Sequence, residues 1–312
     1  MAAYGTLPAR AQDYPARPVT MVVPFTPGGA GDILSRMLGP RLEQKWGKSL
    51  VVENKPGAGG VIGAVATQKA APDGYTLMIA PSATLAINVT LYKALPYDPT
   101  TDFVPLALAA QTPFVLVVNP QLPVRTVADL IKLAKDKAGS LSYASAGPGV
   151  PHHLFAELLK NMTGIEMTHV PYKGSLPALN DVIAGHVPLM FVDLGPALPL
   201  IQAGKVRALG VSTAARIAML PDVPPVGDTV PGFGAASWQM IVAPAKTPRA
   251  IVDKLHNDLK GVLDTPEVKE QIGKTGMVPI DSLPIAGLQA FIASEIARWG
   301  KVVQQAGIAG SQ

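Results

Sequence analysis

The sequence predicts an α/β protein of two lobes, built from two mixed, mainly parallel sheets flanked by helices. Three observations predict it. Short β-like runs alternate with helix-like runs, the pattern of parallel strands joined through helices. The tail abandons that alternation for helices that each begin at or near a proline. Two glycine-rich turns, far apart in the chain, each join an apolar run to a helix-like run. They are Pro24-Phe25-Thr26-Pro27-Gly28-Gly29-Ala30-Gly31-Asp32 and Tyr143-Ala144-Ser145-Ala146-Gly147-Pro148-Gly149-Val150-Pro151-His152-His153.

The elements follow in order. Val19–Val23, Leu50–Val52, Thr76–Ile79, Leu106–Ala110 and Phe114–Val118 read as strands, with helices over Ile33–Lys45, Val61–Lys69 and Leu85–Leu91. Thr126 with Asp129 three residues on is a helix-start signal, so a helix is expected through Ala138. Ser142–Ala144, Glu166–Val170, Leu189–Asp193 and Val206–Val211 read as strands of a second unit. Helices near Leu154–Asn161, Pro177–Ile183 and Leu198–Ala203 connect them. Trp238–Val242 is a last strand, and Pro248–Leu263, Pro266–Thr275 and Pro284–Gln305 are helices, with Thr247 and Ser282 as plausible caps. A helical tail that returns to the first unit makes that unit discontinuous. The expected division is residues 18–117 plus 243–312 for the first lobe and 118–242 for the second. The crossings are expected near Leu116–Pro120 and Met240–Pro244, extended proline-punctuated segments suited to a two-strand hinge.

Composition narrows the function classes. Of 312 residues, 48% are hydrophobic and 15% charged, against about 25% charged in an average soluble protein. The net charge of +4 is dispersed, with no basic run interleaved with aromatics, so nucleic acid is not an expected partner. Cysteine is absent, which excludes disulfides, thiolate catalysis and cysteine-based metal sites. No stretch reaches the ~18 consecutive apolar residues of a membrane-spanning helix. Residues 1–17 form an N-terminal extension. Within it, Ala9-Arg10-Ala11 has the A-x-A form of a signal-peptidase site, although the apolar region that should precede it is missing. Met1–Ala11 reads as the leftover of an export signal or as an added segment, and a chance A-x-A fits equally.

The two turns carry the chemistry. A helix N-terminus has unpaired N–H groups and a partial positive charge, so it attracts anions. One such turn per lobe can grip a small anion between them, which points to binding a carboxylate without changing it. In the first turn Gly28 and Gly29 allow close backbone approach, Thr26 offers a hydroxyl, and Asp32 is a candidate cap. In the second, Ser145 offers a hydroxyl, Gly147 and Gly149 bare backbone, and His153 an orienting donor. Either turn alone also fits an ordinary strand-to-helix connection. Adjacent His152 and His153 diverge by about 100° on a helix and do not chelate together, so no metal is expected. Ser82 and Thr84 place hydroxyls at the carboxyl end of a strand, where open α/β sheets bind ligands, or serve as a helix cap. Lys173 is a candidate carboxylate contact and Tyr172 a candidate cleft wall, against the plainer reading of a solvated loop. Gly57-x-Gly59-x-x-x-Gly63 is a loose variant of a dinucleotide fingerprint. It keeps a nicotinamide-dependent oxidoreductase as the alternative of another class. There is no P-loop, G-x-S-x-G or H-E-x-x-H.

Taken in order, a set of segments resembles the substrate-binding proteins of tripartite tricarboxylate transporters, also called the Bordetella uptake gene (Bug) family. They include Val23-Pro24-Phe25 with Pro27-Gly28-Gly29 and Asp32, Val52-Glu53-Asn54-Lys55-Pro56-Gly57-Ala58-Gly59-Gly60, and Pro72-Asp73-Gly74-Tyr75-Thr76-Leu77. Gly147-x-Gly149 with His153-Leu154, Val170-Pro171-Tyr172-Lys173-Gly174 and Ile201-x-x-Gly204-Lys205-x-Arg207-Ala208-Leu209 continue the series. The resemblance implies a periplasmic binding protein of the type II-like Venus flytrap kind, monomeric and without a cofactor. It implies capture of a small organic carboxylate, delivery to membrane permease subunits, and no catalysis; a ligand sensor would share the fold. It also implies that the carboxylate is bridged, often through ordered waters, between Phe25–Asp32, including Ala30, and Ser145–His153. Ser82 and Thr84 match the family's hydroxyl-rich loop, and Asp193 lies at a second-lobe strand end facing the cleft. Pro148 and Pro151 depart from the family's usual residues and remove two N–H donors.

Overall fold

The structure, a computed structural model, describes residues 14–281 and 283–312. The expectations for Met1–Ala11 and for Ser282 as a cap lie outside the described residues.

The chain enters through β1 (Val19–Val23), whose buried Val and Met side chains sit in the core on both faces. α1 (Ala30–Trp46) follows and stops at Gly47, whose φ of 64° is the left-handed conformation that ends helices. Next come β2 (Leu50–Asn54), α2 (Val61–Gln68) and β3 (Thr76–Pro81), then a π-helical turn, Ala83–Ile87, that runs into α3 (Asn88–Leu91). β4 (Phe103–Thr112) completes this passage.

The second lobe holds β5 (Phe114–Val118), α4 (Val127–Asp136), β6 (Ser142–Ser145), α5 (Pro151–Thr163), β7 (Thr168–Pro171), α6 (Ser175–Ala184), β8 (Leu189–Asp193), α7 (Leu194–Gln202) and β9 (Arg207–Val211). The expected start of α4 is realised as a capping box: Thr126 Oγ1 accepts from Asp129 N–H, and the Asp129 carboxylate accepts from Thr126 N–H. The chain then returns through β10 (Ser237–Pro244), α8 (Arg249–Leu263), α9 (Pro266–Lys274), a two-residue β11 (Val278–Pro279) and α10 (Ile285–Gln305). Thr247 does not cap α8. Its hydroxyl donates to Pro244 carbonyl within the preceding turn, and the N-cap position is Pro248.

The first sheet has the order β11–β4–β10–β3–β1–β2 and the second β7–β6–β8–β5–β9. Both are mixed. Parallel ladders join β1 to β2 and β3, and β6 to β7 and β8, while the strands next to the chain crossings pair antiparallel.

Strand pairing moves the lobe boundaries from where the sequence placed them. All of Phe114–Val118 pairs in the second sheet and all of Ser237–Pro244 in the first. The crossings therefore fall at Pro113 and near Ala236, each one strand earlier than Leu116–Pro120 and Met240–Pro244. The physical reason is burial. Both runs are interior strands, buried at every residue. Pro244 ends β10, whereas Pro113 stands at the crossing itself.

The lobes meet beyond the crossings. The Trp299 ring of α10 stacks on Phe155 of α5 with centroids 5.4 Å apart. Gly276, before β11, sits so close to Gly195 of α7 that an added Cβ would lie 3.1 Å from its Cα. One hydrophobic core runs continuously through both lobes, joining Met78 and Leu85 of the first to Phe155 and Phe191 of the second.

Candidate functional site

The first turn is built outward from β1. Gly28 takes a φ of +85°, which L side chains rarely adopt, and this reverses the chain into α1. Gly29 is extended at φ −78°, so its lack of a side chain is not a backbone requirement. Asn54 at the end of β2 anchors the turn by donating from Nδ2 to Phe25 carbonyl at 3.1 Å. Asp32 is not a cap on the N-cap residue. Its buried carboxylate accepts from Gly28 N–H at 3.0 Å and from Arg36 Nε at 3.0 and 3.1 Å. The Arg36 hydrogen bond outweighs the upward push of burial, and Gly28 N–H adds to it, so the Asp32 carboxyl lies below the ordinary carboxylate range. Gly28 N–H is thus spent inside the turn. Ile33 N–H makes the first intrahelical bond, to Gly29 carbonyl at 3.0 Å. The N–H groups of Ala30, Gly31 and Asp32 have no acceptor within the helix.

The second turn is held from behind. Ser145 Oγ bonds His169 Nε2 at 2.6 Å and accepts from Gly147 N–H at 3.1 Å. His153 Nδ1 accepts from Gly149 N–H at 3.1 Å, and its ring stacks on His169 with centroids 3.9 Å apart. Burial, reinforced by His169, lowers the His153 pKa to about 4, so this ring is neutral and inward-facing. Pro151 has no N–H, and the N–H groups of His153 and Leu154 both donate to Val150 carbonyl. Only His152 N–H remains at the start of α5. Within the turn Gly147 and Gly149 N–H are spent on Ser145 and His153, so the main-chain donors left to the second-lobe wall are those of Ala146, Val150 and His152.

A cavity of about 360 Å³ lies between the lobes. Of the residues named from the sequence, Phe25, Thr26, Gly29, Ala30 and Asp32 lie in its first-lobe wall and Asp193 in its second-lobe wall. Its floor is the pair of crossings: Thr112, Phe114, Ser237 and Gln239. The second lobe adds Ala146, Val150, Pro151 and His152. Among the described residues, no Lys or Arg lines the cavity.

The other expected residues stand elsewhere. Gly28, Ser145, Gly147, Gly149 and His153 form the scaffolds just described, outside the lining. Ser82 lies one layer down, its hydroxyl 3.0 Å from that of Ser237. Thr84 is fully buried, its carbonyl accepting from Tyr97 Oη at 2.6 Å. Tyr172 donates to Asp181 Oδ2 at 2.6 Å, and Lys173 is solvent-exposed. The glycines of the Gly57–Gly63 stretch serve packing. A Cβ at Gly60 would meet Thr84 Oγ1 at 2.4 Å, and one at Gly63 would meet Pro24 Cβ at 2.7 Å.

Sequence reasoning did not single out the floor residues, and it named His153 where His152 is the histidine that lines the cavity. Thr112, Ser237 and Gln239 are polar residues in otherwise apolar buried strands, and that is the legible signal. His152 presents Nε2 to Asp193 Oδ2 at 3.0 Å and Ser175 Oγ at 3.2 Å, with its ring edge-on to Phe114. Three residues of this wall each carry a buried polar atom with no hydrogen-bond partner: Thr112 Oγ1, His152 Nδ1 and Gln239 Oε1. Such atoms are uncommon in folded proteins and mark functional sites or ordered-water positions. Among the described residues no group of His, Cys, Asp and Glu is arranged to hold a metal ion, and no helix is long and apolar enough to cross a membrane.

Comparison with known proteins places this geometry in a family. The model for the tripartite tricarboxylate transporter family receptor matches residues 34–308. Protein BugT of Bordetella pertussis is 37% identical over 302 residues, covering 96% of this chain and 92% of that protein. Among solved structures, R. palustris Rpa4515 with adipate is 40% identical with a TM-score of 0.85, covering 95% of this chain and 99% of that one. MatC from Rhodopseudomonas palustris with bound malate is 32% identical with a TM-score of 0.79, covering 93% and 100%. The periplasmic binding protein BugD is 33% identical with a TM-score of 0.80, covering 95% and 99%. The chain belongs to the tripartite tricarboxylate transporter receptor family, the Bug family of solute-binding proteins.

Proposed function

We propose that the protein captures a small organic carboxylate in the interlobe cavity, as a periplasmic monomer, and delivers it unchanged to the permease of a tripartite tricarboxylate transporter. One observation carries the reading: an interlobe cavity lined by Ala30, Gly31 and Asp32, whose main-chain N–H groups are unspent at the start of a 17-residue helix. Aligned N–H groups at such a terminus attract negative charge without a basic side chain. Across the cavity, the N–H groups of Ala146, Val150 and His152 supply the second-lobe donors. Relatives with adipate and with malate support the ligand class.

The magnitudes suffice. A hydrogen bond to a charged group contributes roughly 1.5–3 kcal/mol, and a helix terminus about 0.3–1 kcal/mol. Several of these, less the cost of ordering the ligand and closing the lobes, reach the ~8 kcal/mol of a micromolar complex. Titration calorimetry with di- and tricarboxylates, aromatic acids and their amides tests the reading. Acids are expected to bind and amides not to. Equal binding of acid and amide removes the anion argument, and binding of neither removes the receptor reading.

A further inference from the structure

Two carboxylates stand in the cavity wall, and they differ in how far they are used. Asp32 is engaged on both oxygens by Arg36, with Gly28 N–H in addition. Asp193, at the junction of β8 and α7, receives both of its side-chain hydrogen bonds on Oδ2, from His152 Nε2 and from Ser175 Oγ. Oδ1 receives none from a side chain of the described residues. Asp193 is the N-cap of α7, yet its side chain makes no capping bond, so that ordinary role does not account for it. Its side chain is 32% exposed and opens on the cavity, and no Lys or Arg pairs with it among the described residues. Burial raises its pKa, but the attraction and hydrogen bond of His152, with hydrogen bonds from the Asp193 main-chain N–H and Ser175, outweigh that and hold the carboxyl below its ordinary range. Oδ1 is then an ionised acceptor in fixed orientation, in a site otherwise arranged for an anion.

We infer that Asp193 is a specificity-determining residue, selecting among small carboxylates those that carry a hydroxyl or ammonium group able to donate to Asp193 Oδ1. The inference rests on the carboxylate reading above. A ligand with a donor there gains a charge-assisted hydrogen bond. A ligand that brings only a second carboxylate to this wall meets like charge. A site shaped around a donor also rejects the analogue lacking it, because its own acceptor is left unpaired. The expected discrimination is roughly 10- to 100-fold.

Titration calorimetry on matched triplets tests this: succinate, malate and aspartate; glutarate, 2-hydroxyglutarate and glutamate; benzoate, 2-hydroxybenzoate and 2-aminobenzoate. In the wild-type protein at least one skeleton is expected to bind 10-fold or more tightly with the donor than without it. In Asp193→Asn the gap is expected to shrink to about 3-fold, with the bare acid bound as well as before or better. Equal wild-type affinities within every triplet overturn the inference and leave the carboxylate reading standing. So does an Asp193→Asn protein that weakens all members equally, as a purely structural role would. Binding of none of the acids overturns both. Should that variant fail to fold, Asp193→Ser, which keeps an oxygen but not the charge, is expected to narrow the gap in the same way, and a full wild-type gap in either variant overturns the inference.

Discussion

At the scale of single residues, the cavity floor trades stability for capacity. Thr112 Oγ1 is buried and unpaired, and an unsatisfied buried polar atom costs about 1–3 kcal/mol. Thr112→Val keeps the shape and removes the orphan. It is expected to stabilise the ligand-free protein by about 1 kcal/mol in urea unfolding, and to weaken ligand binding several-fold by calorimetry. Unchanged affinity would remove Thr112 from the site. His153 makes the opposite case, a site residue by sequence that is scaffold by structure. Its folded pKa of about 4 lies below the 6.5 of an unperturbed histidine, so the unfolded chain takes up a proton first as pH falls. Its contribution is complete above pH 6.5 and lost as pH falls toward 4, up to about 3 kcal/mol. Denaturation of the His153→Gln variant is expected to show a shallower stability slope across that window. Composition reveals that histidines cluster here but not which way each points. One residue along a helix turns a side chain by about 100°, enough to exchange wall for scaffold.

At the scale of elements, most of the fold was legible. Val19–Val23 and Leu189–Asp193 are strands with the expected bounds, and the Thr126 helix start carries its capping box. What the sequence left out depends on partners distant in the chain. β11 is two residues long and exists because β4 offers an edge to pair with. Phe114–Val118 was read as leading into a hinge because an interior strand and an extended linker both look like an apolar run. The contact between α7 and the segment before β11 has an energetic consequence. Gly276→Ala adds a methyl 3.1 Å from Gly195 backbone atoms, at a φ of +89°. The lobes then have to stand further apart. Ligand affinity is expected to fall about 10-fold although Gly276 is not in the cavity wall, since a strained alanine there costs roughly 1–2 kcal/mol. Small-angle scattering of the liganded variant is expected to give a larger radius of gyration than wild type; identical affinity and radius would mean the contact is incidental.

At the scale of the molecule, the sequence already implied two lobes, a discontinuous first lobe and a returning helical tail. It did not imply how firmly that tail is tied to the first sheet. Glu295 of α10 accepts from Trp238 Nε1 on β10 at 2.7 Å and from Trp299 Nε1 at 2.9 Å. Glu295→Ala leaves two buried indole donors unpaired, and a loss of about 2–5 kcal/mol in unfolding free energy is expected. A loss under about 1 kcal/mol would show the carboxylate to be dispensable. The same arrangement has a use at the bench. Of the three tryptophans in the chain, Trp238 follows the return crossing and Trp299 stacks on an aromatic ring of the opposite lobe. Intrinsic tryptophan fluorescence is therefore expected to report domain rotation. Mixing the protein with its solute in a stopped-flow instrument should give an optical transient that Trp299→Phe silences, timing the jaws without any dye.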